Sequence, residues 1–186
     1  MEPEAFIAKW KANQRAERAA SQEHFIDLCA LLGEPTPNTD ATGTTYAFEK
    51  GATKATGGEG WADVWRRGCF GWEYKGKHKD LDEAHRQLQR YRESLLNPPL
   101  LVVCDFENFI IRTNFNGTVQ EVHDFHLTRL DDPKNWRVLR ALFSDPESLK
   151  PVRTTAEVTE ALAGHIAEIA KSLQKREAVE LTDAKT

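Results

Sequence analysis

The sequence predicts an α/β domain, α+β in the order of its parts, built on a central mixed β-sheet flanked by helices and carrying helical segments at both ends. Three observations carry that expectation. Residues Trp61 to Arg66 and Phe70 to Lys75 alternate and are rich in aromatic and β-branched side chains, as paired strands are. The period then turns helical from Asp80 to Leu96. Directly after it, Leu100 to Cys104 (LLVVC) is a continuous apolar run of strand length, the kind a sheet buries on both faces.

Taken in order, the chain opens with Phe6 and Trp10 at i, i+4, then Phe25, Leu28, Cys29 and Leu32 at i, i+3, i+4, i+7. Gly33, Pro35 and Pro37 end that run, so two helices, or one long bent helix, are expected. A Pro, Asn, Thr and Gly-rich loop from Glu34 to Thr45 and a flexible stretch from Gly51 to Gly60 bracket a short strand at Tyr46 to Glu49. Trp61 to Arg66 and Phe70 to Lys75 then form a hairpin about Gly68. Leu81, Ala84, Leu88, Tyr91 and Leu95 mark an amphipathic helix, which Asn97-Pro98-Pro99 stops. After LLVVC, two further strands lie around an Asn116-Gly117 turn, and the pattern is helical again beyond Arg129. Thr154 and Glu157 make a capping box ahead of Val158, Leu162, Ile166, Ile169 and Leu173, with a polar tail from Lys171. No internal repeat is visible. Residues 1–150 are expected to form one domain, and 151–186 a C-terminal helix.

Composition narrows the function. A length of 186 residues with 40% apolar content suffices for a real core. The net charge of -4, with 29% charged residues, argues against a self-sufficient DNA-binding domain, since most are basic. Cys29, Cys69 and Cys104 are far apart and odd in number, which argues against a disulfide framework or a zinc knuckle and fits a reducing cytoplasm. The amphipathic N-terminus and the absence of any membrane-length apolar run predict neither secretion nor a membrane span.

The chemistry concentrates in DVWRRGCFGWEYKGKHK, residues 63 to 79. Alternation puts Glu73 and Lys75 on one strand face and Phe70, Trp72 and Tyr74 on the other. An odd turn centred on Gly68 sets Asp63 opposite Glu73, so three charges meet on one face. Two carboxylates held within about 5 Å repel, which raises one pKa or recruits a cation. Mg²⁺, with its preference for hard oxygen donors, fits Asp63, Glu73 and the Tyr74 carbonyl, with Mn²⁺ an acceptable substitute. Lys75 is then placed to orient or deprotonate an attacking water and to stabilise a phosphorane-like transition state. The alternative is an ordinary solvated face with cross-strand ion pairs, since D-x(9)-E-x-K is a common pattern. Gln87 and Tyr91, at i, i+4 on the following helix, are consistent with lining the same cleft, or with a boundary residue and a core tyrosine. Arg66, Arg67, Lys77, His78 and Lys79 add local positive charge suited to contacting a phosphate backbone.

Three stretches, DVWRRGCFGWEYKGKHKDLDEAHRQLQRY, NPPLLVVCDFENFIIRTNFNGTVQEVHDF and LRALFSDPESLKP, resemble the N-terminal endonuclease domain of MmeI-like type IIG/IIL restriction-modification enzymes. The resemblance runs from the N-terminal helices to the helix after Thr154. It implies a PD-(D/E)XK restriction-endonuclease-like fold, with the motif falling on Asp63 and on Glu73-Tyr74-Lys75, and the Gln-xxx-Tyr of related nucleases on Gln87 and Tyr91. It further implies that Asp63 and Glu73 bind Mg²⁺ and that Lys75 assists the attacking water. Ala62 stands where the motif's name places a proline. Enzymes of this kind continue into a helical connector, an adenine-N6 methyltransferase domain that uses S-adenosylmethionine, and a target-recognition domain. The chain ends at LTDAKT without them, so residues 151–186 are expected to begin that connector. Double-stranded DNA is the expected partner, with transient dimerisation on it.

Other motifs are weaker. Asn97 to Leu100 (NPPL) mimics an amino-methyltransferase motif, yet Leu100 cannot stack on a base and no Gly-rich cofactor loop follows a strand, so a helix stop is expected. His123 and His126 lack further metal ligands and are expected at the surface. Glu17, Glu23 and Glu49 are possible extra carboxylates, since nucleases of the resembled fold sometimes recruit one from a preceding helix, but such residues are more often solvated and are left out of the expected site. A competing reading keeps the fold as a catalytically silent structural or DNA-binding module of a phage-defence adenine-N6 methyltransferase.

Overall fold

A computed structural model describes residues 1–53, 59–77 and 79–183. Two helices, α1 (Pro3–Lys11) and α2 (Glu17–Leu32), open the chain; the two-helix alternative is the one adopted, and Gly33 closes α2 in a left-handed conformation with φ 73°. Six strands follow: β1 (Tyr46–Thr53), β2 (Glu59–Arg66), β3 (Phe70–Tyr74), β4 (Leu100–Cys104), β5 (Asn108–Thr113) and β6 (Val122–His126). Helix α3 (Leu81–Tyr91) lies between β3 and β4, while α4 (Pro133–Ser144) and α5 (Thr155–Asp183) follow β6.

The strands form one mixed sheet in the order β1-β2-β3-β4-β5-β6. Every neighbouring pair is antiparallel except β3 and β4, which run parallel and are joined by α3, as a parallel pair requires a crossover. Alternation along β3 and β4 sorts their side chains. Phe70, Trp72, Tyr74, Leu100, Val102 and Cys104 enter a large cluster with Phe6, Trp10 and Phe25 of the first two helices and Leu139, Leu142 and Phe143 of α4. Leu101 and Val103 turn the other way, with Ala62 and Trp65, to meet Ala84, Leu88, Tyr91 and Leu95. LLVVC is buried throughout, as a strand covered on both faces must be.

The chain divides into two compact units: Met1–Phe115 with Gln120–Lys150, and Asn116–Val119 with the segment from Pro151 onward. In the second unit the expected capping box forms. The Thr154 hydroxyl donates to Glu157 Oε2 at 2.9 Å and accepts from the Glu157 N–H at 3.2 Å, opening α5.

Three expectations on boundaries need correction. β1 does not stop at Glu49 but continues to Thr53, pairing Lys50 with Ala62 and Thr53 with Glu59, because β2 begins two residues earlier than its aromatic pattern suggested. Residues 54–58 of the expected Gly-rich loop, and His78, lie outside the described residues. α3 ends at Tyr91 rather than Leu96: Asn97 precedes Pro98, which bars it from helical backbone, and Leu96 and Asn97 turn left-handed at φ 64° and 48°. The helical backbone of α5 runs through the polar tail to Asp183.

Candidate active site

β2 and β3 pair as Val64↔Trp72, Trp65↔Gly71 and Arg66↔Phe70 around a turn in which Gly68 takes φ 70°. That is the register expected of a three-residue turn, and it aims Asp63 at Glu73. The ladder nevertheless stops one pair short. Instead of a backbone partner, the Tyr74 N–H donates to Asp63 Oδ2 at 2.6 Å. The other edge of β2 is interrupted at the same level, since β1 pairs through Phe48↔Val64 and Lys50↔Ala62 but skips Glu49, whose φ is 47°. Side chains report the same break: Val64 joins the aromatic cluster, whereas Ala62 and Trp65 both join the α3 cluster. Asp63 thus sits at a slip in the pleat where both neighbouring strands let go of β2. Left-handed backbone at a non-glycine residue is strained and concentrates at functional sites.

Glu73 is only 4% exposed and lies on the α3 side of β3. The Lys75 ammonium donates to its Oε1 at 2.7 Å, and its buried Oε2 has no hydrogen-bond partner among the described residues. Burial first, and then the Asp63 charge, push the Glu73 carboxyl up to about 8. Burial likewise raises Asp63 to about 6, against the pull of the Tyr74 N–H and of Lys75. Lys75 stays firmly cationic: burial works against its charge, but the Glu73 hydrogen bond and the surrounding carboxylates outweigh it and raise its pKa. The Tyr91 ring is fully buried, with Gln87 half-buried one turn earlier. The Tyr91 hydroxyl has no well-formed hydrogen bond among the described residues, and burial with the Glu73 charge raises it to about 12. Asp63, Glu73, Lys75, Gln87 and Tyr91 therefore converge on one place.

A hard divalent cation suits this arrangement. Glu73 Oε2 is an orphaned buried acceptor, the Asp63 charge adds to burial in raising the Glu73 carboxyl, and Glu17 and Glu49 add to burial in raising Asp63, a concentration of buried negative charge that a cation would relieve. Within a strand, a residue's N–H and carbonyl point to the same edge, so the Tyr74 carbonyl faces β2 beside Asp63, beyond the last ladder pair. Among the described residues no group of three or more His, Cys, Asp and Glu side chains is gathered to hold a metal, so two carboxylates and a carbonyl would leave the rest of an octahedral shell to water and substrate.

Two of the three possible extra carboxylates, left out of the expected site, stand close by. Glu17, in the first turn of α2, accepts from the Gly76 N–H at 2.6 Å through Oε2. Glu49 lines a small cleft with Asp63, Ser21 and Gln22. No spacing rule links them to the motif; only the packing of α2 against the end of β3 and of β1 against β2 could reveal them. Glu23, by contrast, is bound to Lys9 and Arg15 and stays outside the site.

The basic residues divide. Lys77 follows the motif strand and reaches Glu107 at 2.6 Å, and Lys79 is exposed beside it. Arg66 and Arg67 stand at the hairpin end, three and four residues from Asp63, which is about 10 Å or more along a strand. The Arg66 guanidinium packs 5.1 Å from the centre of the Tyr46 ring and 3.6 Å from Glu34, while Arg67 is exposed. The methyltransferase-like NPPL is structural here, as the Pro98 carbonyl accepts from the Asn114 amide at 2.9 Å. His126 accepts from the Thr128 N–H at 3.2 Å, and His123 is half-buried. No helix among the described residues is long and apolar enough to cross a membrane.

Comparison with known families matches residues 1–176 to a family described as "MmeI, N-terminal domain". Among curated proteins nothing matches. One solved structure to which the chain is similar is described as "cryoEM structure DrdV-DNA complex"; identity is 17%, 80% of this chain and 14% of that chain are covered, and the TM-score is 0.45.

Proposed function

Since this chain belongs to the N-terminal domain family of MmeI-type restriction enzymes, we propose that it is the Mg²⁺-dependent endonuclease domain of a type IIG/IIL enzyme, hydrolysing phosphodiester bonds of double-stranded DNA. The observation that carries this reading is the pair of buried carboxyls at the break between β2 and β3, one with an unpartnered oxygen, beside a lysine that keeps its charge. Asp63, Glu73 and the Tyr74 carbonyl would hold the ion, which when bound neutralises phosphate charge and polarises the scissile bond.

The chain's own groups supply the rest. Lys75, cationic at neutral pH, orients the attacking water and donates to a phosphate oxygen as negative charge builds in the transition state. Its raised pKa favours that donor role over proton abstraction. Gln87 and Tyr91 stand near Glu73, close enough for its charge to raise the Tyr91 hydroxyl, and would help to orient its carboxylate once the ion is bound. Lys77 and Lys79 contact the phosphate backbone next to the cut, and Arg67, with Arg66 behind it, meets the duplex further along. In the full-length enzyme a methyltransferase domain using S-adenosylmethionine and a target-recognition domain supply specificity, which accounts for a net charge of -4 here. One centre per chain makes a transient dimer on DNA the route to double-strand cutting.

The test is to titrate Mg²⁺ or Mn²⁺ calorimetrically into wild type and Asp63→Ala, then to incubate each with supercoiled plasmid. Binding and nicking by wild type alone support the nuclease. Salt-sensitive DNA binding with no metal-dependent loss of plasmid, also within the full-length enzyme, would establish the silent module instead.

A further inference from the structure

We infer that Glu17 is a positioning residue for this site, clamping the chain just beyond Lys75; the inference rests on the nuclease reading for its catalytic consequence and on geometry alone for the clamp. Glu17 and Gly76 are 59 residues apart, yet Glu17 Oε2 accepts from the Gly76 N–H at 2.6 Å. This is a charge-assisted bond at the short end of the range. It comes where β3 has already ended: Lys75 N–H still bonds the Cys104 carbonyl at 2.9 Å, and beyond it the chain leaves the sheet. Without another hold, the segment bearing the essential ammonium would fray at its free end.

The same helix holds that segment at a second point. His24, seven residues after Glu17 and so on the same face two turns along, has its Nδ1 2.7 Å from the Tyr74 hydroxyl in a fully buried contact. Residues 74 and 76 are therefore both tied to α2, and Lys75 lies between them. Tyr74 is fixed by its side chain in the core, Gly76 by its backbone in a half-buried bond. Between two fixed neighbours the Lys75 backbone has little freedom, and its side chain, 22% exposed, is directed onto Glu73. The Glu17 carboxylate serves the Gly76 N–H and adds negative potential around Asp63, Glu73 and Lys75.

Two variants of the full chain separate position from charge. Glu17→Gln keeps an acceptor for the Gly76 N–H and loses the charge; Glu17→Ala loses both. Amide hydrogen exchange at Gly76, followed by NMR, reads the clamp directly, and the plasmid cleavage rate in Mn²⁺ reads its consequence. The expected result is slow Gly76 exchange in wild type and Glu17→Gln, exchange faster by about tenfold or more in Glu17→Ala, and a cleavage rate lowered on the order of 10–100-fold in Glu17→Ala but largely rescued in Glu17→Gln. Unchanged Gly76 exchange in Glu17→Ala would overturn the clamp. Cleavage by Glu17→Gln as poor as by Glu17→Ala, with Gly76 still protected, would overturn it too, assigning the effect to charge at the ion site. If Glu17→Ala does not fold, Glu17→Gln alone decides, by whether protection and cleavage persist together. A wild type that leaves DNA intact, also within the full-length enzyme, refutes the nuclease reading, while the exchange data still decide the clamp.

Discussion

Replacing Glu73 with glutamine should make the protein more stable, increasingly so as pH rises from about 4.5 towards 8. Glu73 is 4% exposed and its carboxyl is raised from 4.5 to about 8, chiefly by burial and then by Asp63. An acid whose folded pKa lies above its unfolded value keeps a proton in the native state that the unfolded chain has released, so stability falls as pH rises from about 4.5 towards 8. At 1.36 kcal/mol per pH unit the ceiling is about 5 kcal/mol. Movement of the Lys75 ammonium and entry of water take up part of this, leaving about 2 kcal/mol at pH 8. Glutamine has no proton to lose and lacks the penalty. For a chain of this size, 2 kcal/mol corresponds to about 6 °C in Tm. Thermal denaturation of wild type and Glu73→Gln in EDTA, at pH 5 and pH 8, measures it: the variant should gain about 6 °C on wild type between the two pH values. Excess Mg²⁺ should stabilise wild type at pH 8 and leave the variant unmoved. A Tm difference that does not change with pH would refute the reasoning, because the carboxyl would then be as well solvated folded as unfolded.

Other changes should separate site from scaffold. Tyr91→Phe removes a hydroxyl that has no good partner among the described residues, so stability should hold within about 1 kcal/mol while cleavage falls, and a large loss of stability would place the hydroxyl in a structural bond instead. Leu88→Ala, in the fully buried cluster beneath the same helix, should cost about 2–5 kcal/mol by chemical denaturation. Lys79→Ala should weaken DNA binding and reduce the slope of log affinity against log salt by about 1. Arg66→Ala should instead lower stability, since its guanidinium packs over Tyr46 and Phe143, and leave that slope nearly unchanged.

The parts of the fold that local pattern can specify are legible in the amino-acid sequence. Alternation in Phe70 to Tyr74 does sort its aromatics from Glu73, Gly68 does set the turn register, and LLVVC is buried on both faces. What pattern cannot supply is how strands end. The pairing rule that aims Asp63 at Glu73 holds through Val64↔Trp72 and then fails, because the Asp63 carboxylate competes for the Tyr74 N–H. The strain at Glu49 has no local signature, since glutamate does not favour left-handed backbone. The Glu17 bond to Gly76 is illegible for a different reason: it depends on α2 lying along β3, a contact between distant parts of the chain. The clustering of basic residues between Arg66 and Lys79 is a property of sequence proximity that the hairpin undoes. The turn places Arg66 at the end of β2 away from Asp63, where tyrosine and phenylalanine rings cover it.

The central claim is that the charges at the β2–β3 break cut DNA, and Lys75→Ala tests it most directly. Alanine removes the ammonium that bonds Glu73 without touching either clustered core, so the variant should fold and bind DNA as wild type does. Supercoiled plasmid incubated with Mg²⁺ should be nicked and linearised by wild type and left intact by Lys75→Ala, at a Tm within a few degrees of wild type. Cleavage by Lys75→Ala at the wild-type rate would contradict the account.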